Sequence, residues 1–71
     1  MSRTPITSSN LKSVGYDATS RTLEIEFHSS GIYQYSSVPP SVHSGLMGAS
    51  SHGKYFDAHI KKGGYMCRKV A

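Results

Sequence analysis

Five cationic side chains, Lys54, Lys61, Lys62, Arg68 and Lys69, fall within the twenty residues Ser51–Val70, interleaved with Tyr55 and Tyr65 and opposed only by Asp57. The fifty residues before them set Arg3, Lys12 and Arg21 against Asp17, Glu24 and Glu26, so the whole formal excess of +4 lies in the closing segment. Lysines act as point charges on phosphate oxygens, and Arg68 adds a planar fork for bidentate or stacking contacts. Tyrosine rings offer faces to unpaired bases. That combination is the chemistry of a polyanion-binding surface, with RNA the leading partner. A solvated face on a small basic protein has the same composition, so charge segregation alone does not choose between the two.

Other constellations are weaker. His43, His52, His59 and Cys67 invite a metal reading. However, His52 and His59 lie two helical turns apart, about 10 Å of rise, too far to share a zinc whose ligands bind at about 2 Å. No Cys-x-x-Cys or His-x-x-x-His spacing is present, so neither a metal nor a cofactor is expected. Cys67 has only Arg68 and Lys69 beside it to lower its pKa, and a lone strand cysteine reads as a small buried hydrophobe. Glu24 and Glu26 share the polar side of a strand and read as solubilising charges. A general acid/base pair would need a cleft that so small a domain scarcely forms. Gly63-Gly64 lacks the strand–loop–helix setting of a phosphate loop and reads as a helix stop. A non-enzymatic binding module is the expectation.

The elements that must position these residues come from a short chain. With 71 residues, one domain is expected, able to bury only about 60% of its unfolded surface. Apolar content is 37%, with no Trp and two Phe, so the five Tyr are expected to supply much of the core. A thin core predicts marginal stability, relieved by self-association or by attachment to a larger protein. A single cysteine excludes an internal disulfide. No apolar run approaches the ~20 residues of a membrane span, and the opening MSRTPITSSN lacks the apolar stretch of a signal peptide. A cytoplasmic protein without a membrane partner is expected.

Residues 1–7 read as a flexible arm and residues 8–71 as a single domain. Val14 and Tyr16 alternate with Ser13 and Gly15; Leu23, Ile25 and Phe27 alternate with Thr22, Glu24 and Glu26. A four-residue loop at Ala18–Arg21 pairs Asp17 with Thr22, Tyr16 with Leu23 and Val14 with Ile25. A three-residue turn Ser29-Ser30-Gly31, with Gly31 left-handed, opposes Phe27 to Tyr33 and Ile25 to Tyr35. Tyr33 and Tyr35 then share the apolar face, where they either fill the core or stack on bases. Pro39 and Pro40 end the meander and open a helix carrying Val42, Leu46 and Ala49. Gly45 and Gly48 in that helix each cost about 1 kcal/mol relative to Ala. Ser50 or Ser51 caps a second helix, about His52–Lys62, with Phe56 and Ile60 on its buried side. Tyr65–Val70 forms a last, edge strand. The fold class is α+β: a β-β-β meander plus a short C-terminal strand in one small antiparallel sheet, with two short helices on one face.

The blocks SxxLKSVGYD, TLEIEF, GIYQYSSVP, GLMGASSHGKYFDAHI and YxxRKV, spanning Ser8–Val70, resemble the KTSC family. That family is named for its occurrence at the C-terminus of some lysyl-tRNA synthetases, and it also occurs as stand-alone small bacterial or phage proteins. The resemblance rests on Tyr33 and Tyr35, on Ser51, Gly53, Tyr55 and Phe56, and on Arg68 and Val70. One departure is Cys67, which stands where the family's final strand often carries an aromatic ring. The resemblance implies a compact α+β fold and a place beside tRNA. Read from charge and aromatic interleaving, the candidate nucleic-acid-binding residues are Lys54, Tyr55, Lys61, Lys62, Tyr65, Arg68 and Lys69, with tRNA or single-stranded RNA as partner. The alternative is a protein–protein adaptor or structural module, of phage origin, whose thin core and edge strand a partner or second copy completes.

Overall fold

Alternation of Leu23 and Ile25 with Glu24 and Glu26 makes Thr22–Phe27 the middle strand of five in the computed structural model, which describes residues 1–71. The strands are β1 (Thr4–Pro5), β2 (Leu11–Asp17), β3 (Thr22–Phe27), β4 (Gly31–Tyr35) and β5 (Cys67–Lys69). They lie in sequence order, each antiparallel to the next. Between β4 and β5 come α1 (Pro40–Gly48) and α2 (His52–Phe56), the latter running on into a π-helical stretch, Asp57–Lys61. The architecture is the expected α+β arrangement, with one strand more than the sequence suggests.

The β2–β3 hairpin has the expected register, Asp17 with Thr22, Tyr16 with Leu23 and Val14 with Ile25. Asp17 holds the turn, accepting hydrogen bonds from the Thr19 backbone and the Ser20 hydroxyl, both at 3.0 Å. The β3–β4 hairpin differs. Phe27 faces Gly31, Ile25 faces Tyr33 and Leu23 faces Tyr35, a slip of two residues from the expected pairing. A slip of two preserves the side-chain faces, so both tyrosines still point toward the helices. Gly31 has φ +96°, and a Cβ there would lie 2.6 Å from the Ala71 carbonyl oxygen. The chain end passing over Gly31, which bonds to Ile32, favours this register, and turn chemistry cannot anticipate it.

The expected flexible arm instead supplies β1, with Thr4 opposite Val14 and Pro5 opposite Ser13. Its anchor is Arg3, whose guanidinium donates to Glu24 at 2.5 Å and to Ser13 Oγ at 3.0 Å, and lies 3.8 Å from Glu26. Ser13 donates to Glu26 at 2.9 Å, and Gln34 donates to Glu24 at 2.9 Å. A side chain at Gly15 would meet the Ser2 carbonyl, so its absence lets the arm lie flat on the sheet. Glu24, only 6% exposed, is thus no solubilising surface charge. Alternation correctly put it opposite the apolar face, but residues twenty positions away cover that second face.

The core is mainly aliphatic: Leu11, Val14, Leu23, Ile25, Val38, Leu46 and Ile60 are buried together with Phe56 and Tyr35. Only one tyrosine of the five enters it, so the expected tyrosine-rich core is not found; the other four border it. Their hydroxyls need water or a partner, which holds the phenol ends at the rim. Tyr16 shows how, donating to the Val38 carbonyl at 2.5 Å and stacking on His43 at 4.6 Å. No helix is long and apolar enough to cross a membrane.

Two outcomes follow. The Gln34 and Arg3 hydrogen bonds hold the Glu24 carboxyl below its ordinary value of 4.5, against the opposing effect of burial. The unfolded chain then binds the extra proton, so this stabilisation is complete above about pH 4.5 and is lost as pH falls through the folded value. Arg3→Ala should cost about 1–3 kcal/mol at neutral pH, and Glu24→Gln should flatten the acid limb, both read by thermal unfolding against pH. In α1, a Cβ at Gly45 would collide with the Tyr55 ring, whereas one at Gly48 meets nothing. Gly48→Ala should therefore stabilise by up to about 1 kcal/mol, and Gly45→Ala should destabilise, as denaturant midpoints will report.

Candidate nucleic-acid interface

Helices cover only part of the sheet's apolar face. Phe56 packs edge-on against Phe27 and Tyr35, with ring centroids at 5.3 and 5.6 Å, and Phe27 meets Tyr33 in the same manner at 5.7 Å. Beside this cluster a groove of about 440 Å³ opens between β4–β5 and the π-helical stretch, with Tyr33 and Tyr35 on its sheet side. Tyr65 and Lys61 also line it, and Cys67 does so from β5. The π geometry shapes its rim. A wider turn brings i and i+5 into line, and Asp57 has Lys61 at 3.9 Å and Lys62 at 3.4 Å.

A second cavity, about 660 Å³, is lined by no hydrophobic residue. Ser8, Ser9, Ser50 and Ser51 contribute hydroxyls, and Lys54 contributes the cation. Local chemistry explains two of the serines. Ser8 Oγ accepts from the Asn10 and Leu11 amides at 3.3 Å each, turning the chain into β2. Ser51 caps α2, accepting from the Lys54 amide at 3.4 Å.

The basic residues do not all share one flank. Lys69 pairs opposite Tyr33 and Cys67 opposite Tyr35, so both belong to the helix side of the sheet. Arg68 pairs opposite Gln34 and belongs to the outer side with Glu24. Period-two alternation along β5 forces that split, which separates Arg68 from Lys54, Lys61 and Lys62. Tyr55 is committed to structure: its ring fills the space over Gly45 and stacks on His59 at 4.3 Å. Tyr33 and Tyr35 have diverged in role, Tyr35 being 8% exposed and Tyr33 half-buried. Cys67 is exposed, contrary to the buried hydrophobe expected of it, because it lines the open groove.

No group of three or more His, Cys, Asp or Glu side chains gathers where a metal ion would sit. His52 Nδ1 lies 2.8 Å from the Leu46 carbonyl, joining α2 to the end of α1. His43 is pushed toward its neutral form by burial. Asn10, Phe27 and Asp57 are site residues that sequence reasoning passed over. Asp57 left one signal, as the single carboxylate of the basic segment and four residues before Lys61.

Burial pushes the Tyr35 phenol up to about 12, with the Cys67 thiol and Tyr33 adding to the effect. The unfolded chain releases this proton near pH 10, so the stabilisation is present below that and is lost as pH rises toward about 12. Tyr35→Phe should flatten the loss of stability between these pH values, measured by circular dichroism on alkaline titration.

A family model described as KTSC domain matches residues 7–65. The chain is 43% identical over 61 residues to an uncharacterized protein of Stutzerimonas stutzeri, covering 86% of each. It is also 43% identical over 51 residues to a lysine–tRNA ligase of Nostoc punctiforme, a match that takes in 72% of this chain and 9% of the ligase. Among solved structures, a KTSC domain protein from Yersinia pestis superposes with a TM-score of 0.94 at 46% identity, covering 99% of this chain and 97% of that one.

Proposed function

The chain belongs to the KTSC domain family, and from that premise we propose that it is a non-enzymatic module binding single-stranded or structured RNA through the helix side of its sheet. The observation that carries this reading is the juxtaposition of half-buried aromatic rings with lysines at one groove. Tyr33 and Tyr65 line it with Lys61, and Lys54 stands in the neighbouring cleft. Opposing carboxylates are few on that side. Glu24 and Glu26 turn to the outer face, where Arg3 and Lys12 engage them. Asp57, beside Lys61 and Lys62, is the carboxylate that remains at the groove. Rings beside exposed lysines are how sequence-tolerant modules hold unpaired strands, by stacking and by phosphate neutralisation. Similarity to a segment of a lysine–tRNA ligase adds a setting in which an RNA partner is at hand.

Fluorescence anisotropy with a labelled single-stranded RNA tests the reading. Lys61 and Lys62 are 69% and 71% exposed at the side chain, so Lys61→Glu with Lys62→Glu should leave folding intact. The double variant should bind at least about tenfold more weakly, and its log–log salt slope should be shallower by about 1.4. Unchanged affinity would remove the reading.

A second reading, a protein-binding module, has one observation in its favour. β5 is an exposed edge, with Met66 80% and Val70 40% exposed beside it. Hydrogen bonds from Ser36 to Met66 and from Val70 to Ile32 turn even-numbered residues toward β4. The backbone groups of Cys67 and Lys69 are thereby left facing outward for a partner strand. Arg68 and Lys69 would repel a second copy and favour an acidic strand. A species that stays monomeric in sedimentation across concentrations and captures no acidic peptide would exclude it.

A further inference from the structure

The aromatic groove and the hydroxyl-lined cleft adjoin, since Asn10 and Asp57 line both. We infer that together they form one bipartite site for a single unpaired ribonucleotide of an RNA strand. In this site the base lies in the groove, the phosphate lies at Lys54, and Asp57 accepts a hydrogen bond from the ribose 2′-hydroxyl. This rests on the RNA reading above and adds to it a unit of recognition and a basis for telling RNA from DNA.

Each part of a nucleotide finds a chemically matched wall. The groove side is aromatic, lined by the half-buried rings of Tyr33 and Tyr65, a setting in which a base stacks. At its floor Tyr35 is 8% exposed, with the Cys67 thiol and Tyr33 beside its phenol. The Cys67 thiol, a weak hydrogen-bonding group, is the side-chain partner of this hydroxyl, and both residues line the groove. A base edge gives it a stronger donor or acceptor than a thiol. The cleft side is lined without hydrophobic residues and holds Lys54 among serine hydroxyls, which suits a phosphate and its sugar.

Asp57 stands at the junction. It is ion-paired with Lys61 at 3.9 Å and Lys62 at 3.4 Å, and since a carboxylate offers about four acceptor positions, capacity remains for a further donor. A lone carboxylate in a phosphate site would repel the ligand, but here Lys54, Lys61 and Lys62 outnumber it. A 2′-hydroxyl is the one group that RNA offers there and DNA lacks. Both are open clefts, of about 440 and 660 Å³, wide enough to seat the parts of one nucleotide.

The test compares labelled hexauridine with its deoxyribose counterpart by anisotropy at low salt. The full chain should bind the RNA at least about fivefold more tightly, and Asp57→Asn should abolish that preference. The RNA affinity of the variant should fall by about tenfold while its DNA affinity holds or rises. Tyr35→Phe should weaken both oligomers alike, and saturating RNA should slow maleimide alkylation of Cys67. RNA and DNA bound equally, an Asp57→Asn that lowers both by one factor, or a Cys67 thiol that RNA does not shield would each overturn the nucleotide site. Those results leave charge-driven RNA binding standing. Failure of both oligomers to bind would overturn that reading as well.

Discussion

β3 is the strand on which the rest of the molecule depends, because it is paired on both edges and buried on both faces. Leu23 and Ile25, each 0% exposed, carry the helices, and burying side chains of this size stabilises by about 1.5–3 kcal/mol apiece. Glu24 and Glu26 point the other way, into hydrogen bonds with Arg3, Ser13 and Gln34. A carboxylate on that face with no donor would be costly, so the N-terminal strand and β4 are required partners of β3. Half of the protein's acidic groups are thereby held on the side away from the lysines.

That segregation gives the helix side its character. α1 enters the core through Leu46 and meets β2 in the Tyr16–His43 stack, and α2 reaches Phe27 and Tyr35 through Phe56. Neither helix extends over β5, which pairs with β4 and stays exposed. The uncovered strip is the aromatic groove. Tyrosine suits it better than phenylalanine, since a phenol tolerates the wet boundary where an aromatic core ends. The π-helical stretch completes the rim by setting Lys61 and Lys62 about one carboxylate, Asp57.

Much of this was legible from the residues, though unevenly. The β2–β3 hairpin could be placed residue by residue because Asp17 supplies its own turn bonds and the apolar pattern admits one parity. The second hairpin came out on the correct face and two residues out of register, since a double step costs nothing in pattern. A serine cap, at Ser50 or Ser51, and the Gly63-Gly64 stop were evident because both act within a few residues of chain; Ser51 is the serine that caps. Of the candidate site, Lys61, Tyr33 and Tyr65 were identified and meet at one groove. Arg68 and Tyr55 were identified for the same task, but strand parity places the first on the far face and packing occupies the second.

The order of side chains by itself determined the α+β class, the period-two faces of the meander, the two helices and the concentration of cations in the closing segment. Each of these follows from neighbours a few residues apart, through alternation, capping and turn geometry. Only the tertiary structure decided that Arg3 reaches Glu24, that Ala71 crosses Gly31, that Cys67 stays open and that Asp57 stands between two cavities. Those outcomes turn on contacts between segments far apart in the chain, where shape and hydrogen-bond satisfaction choose among arrangements that local pattern leaves equal.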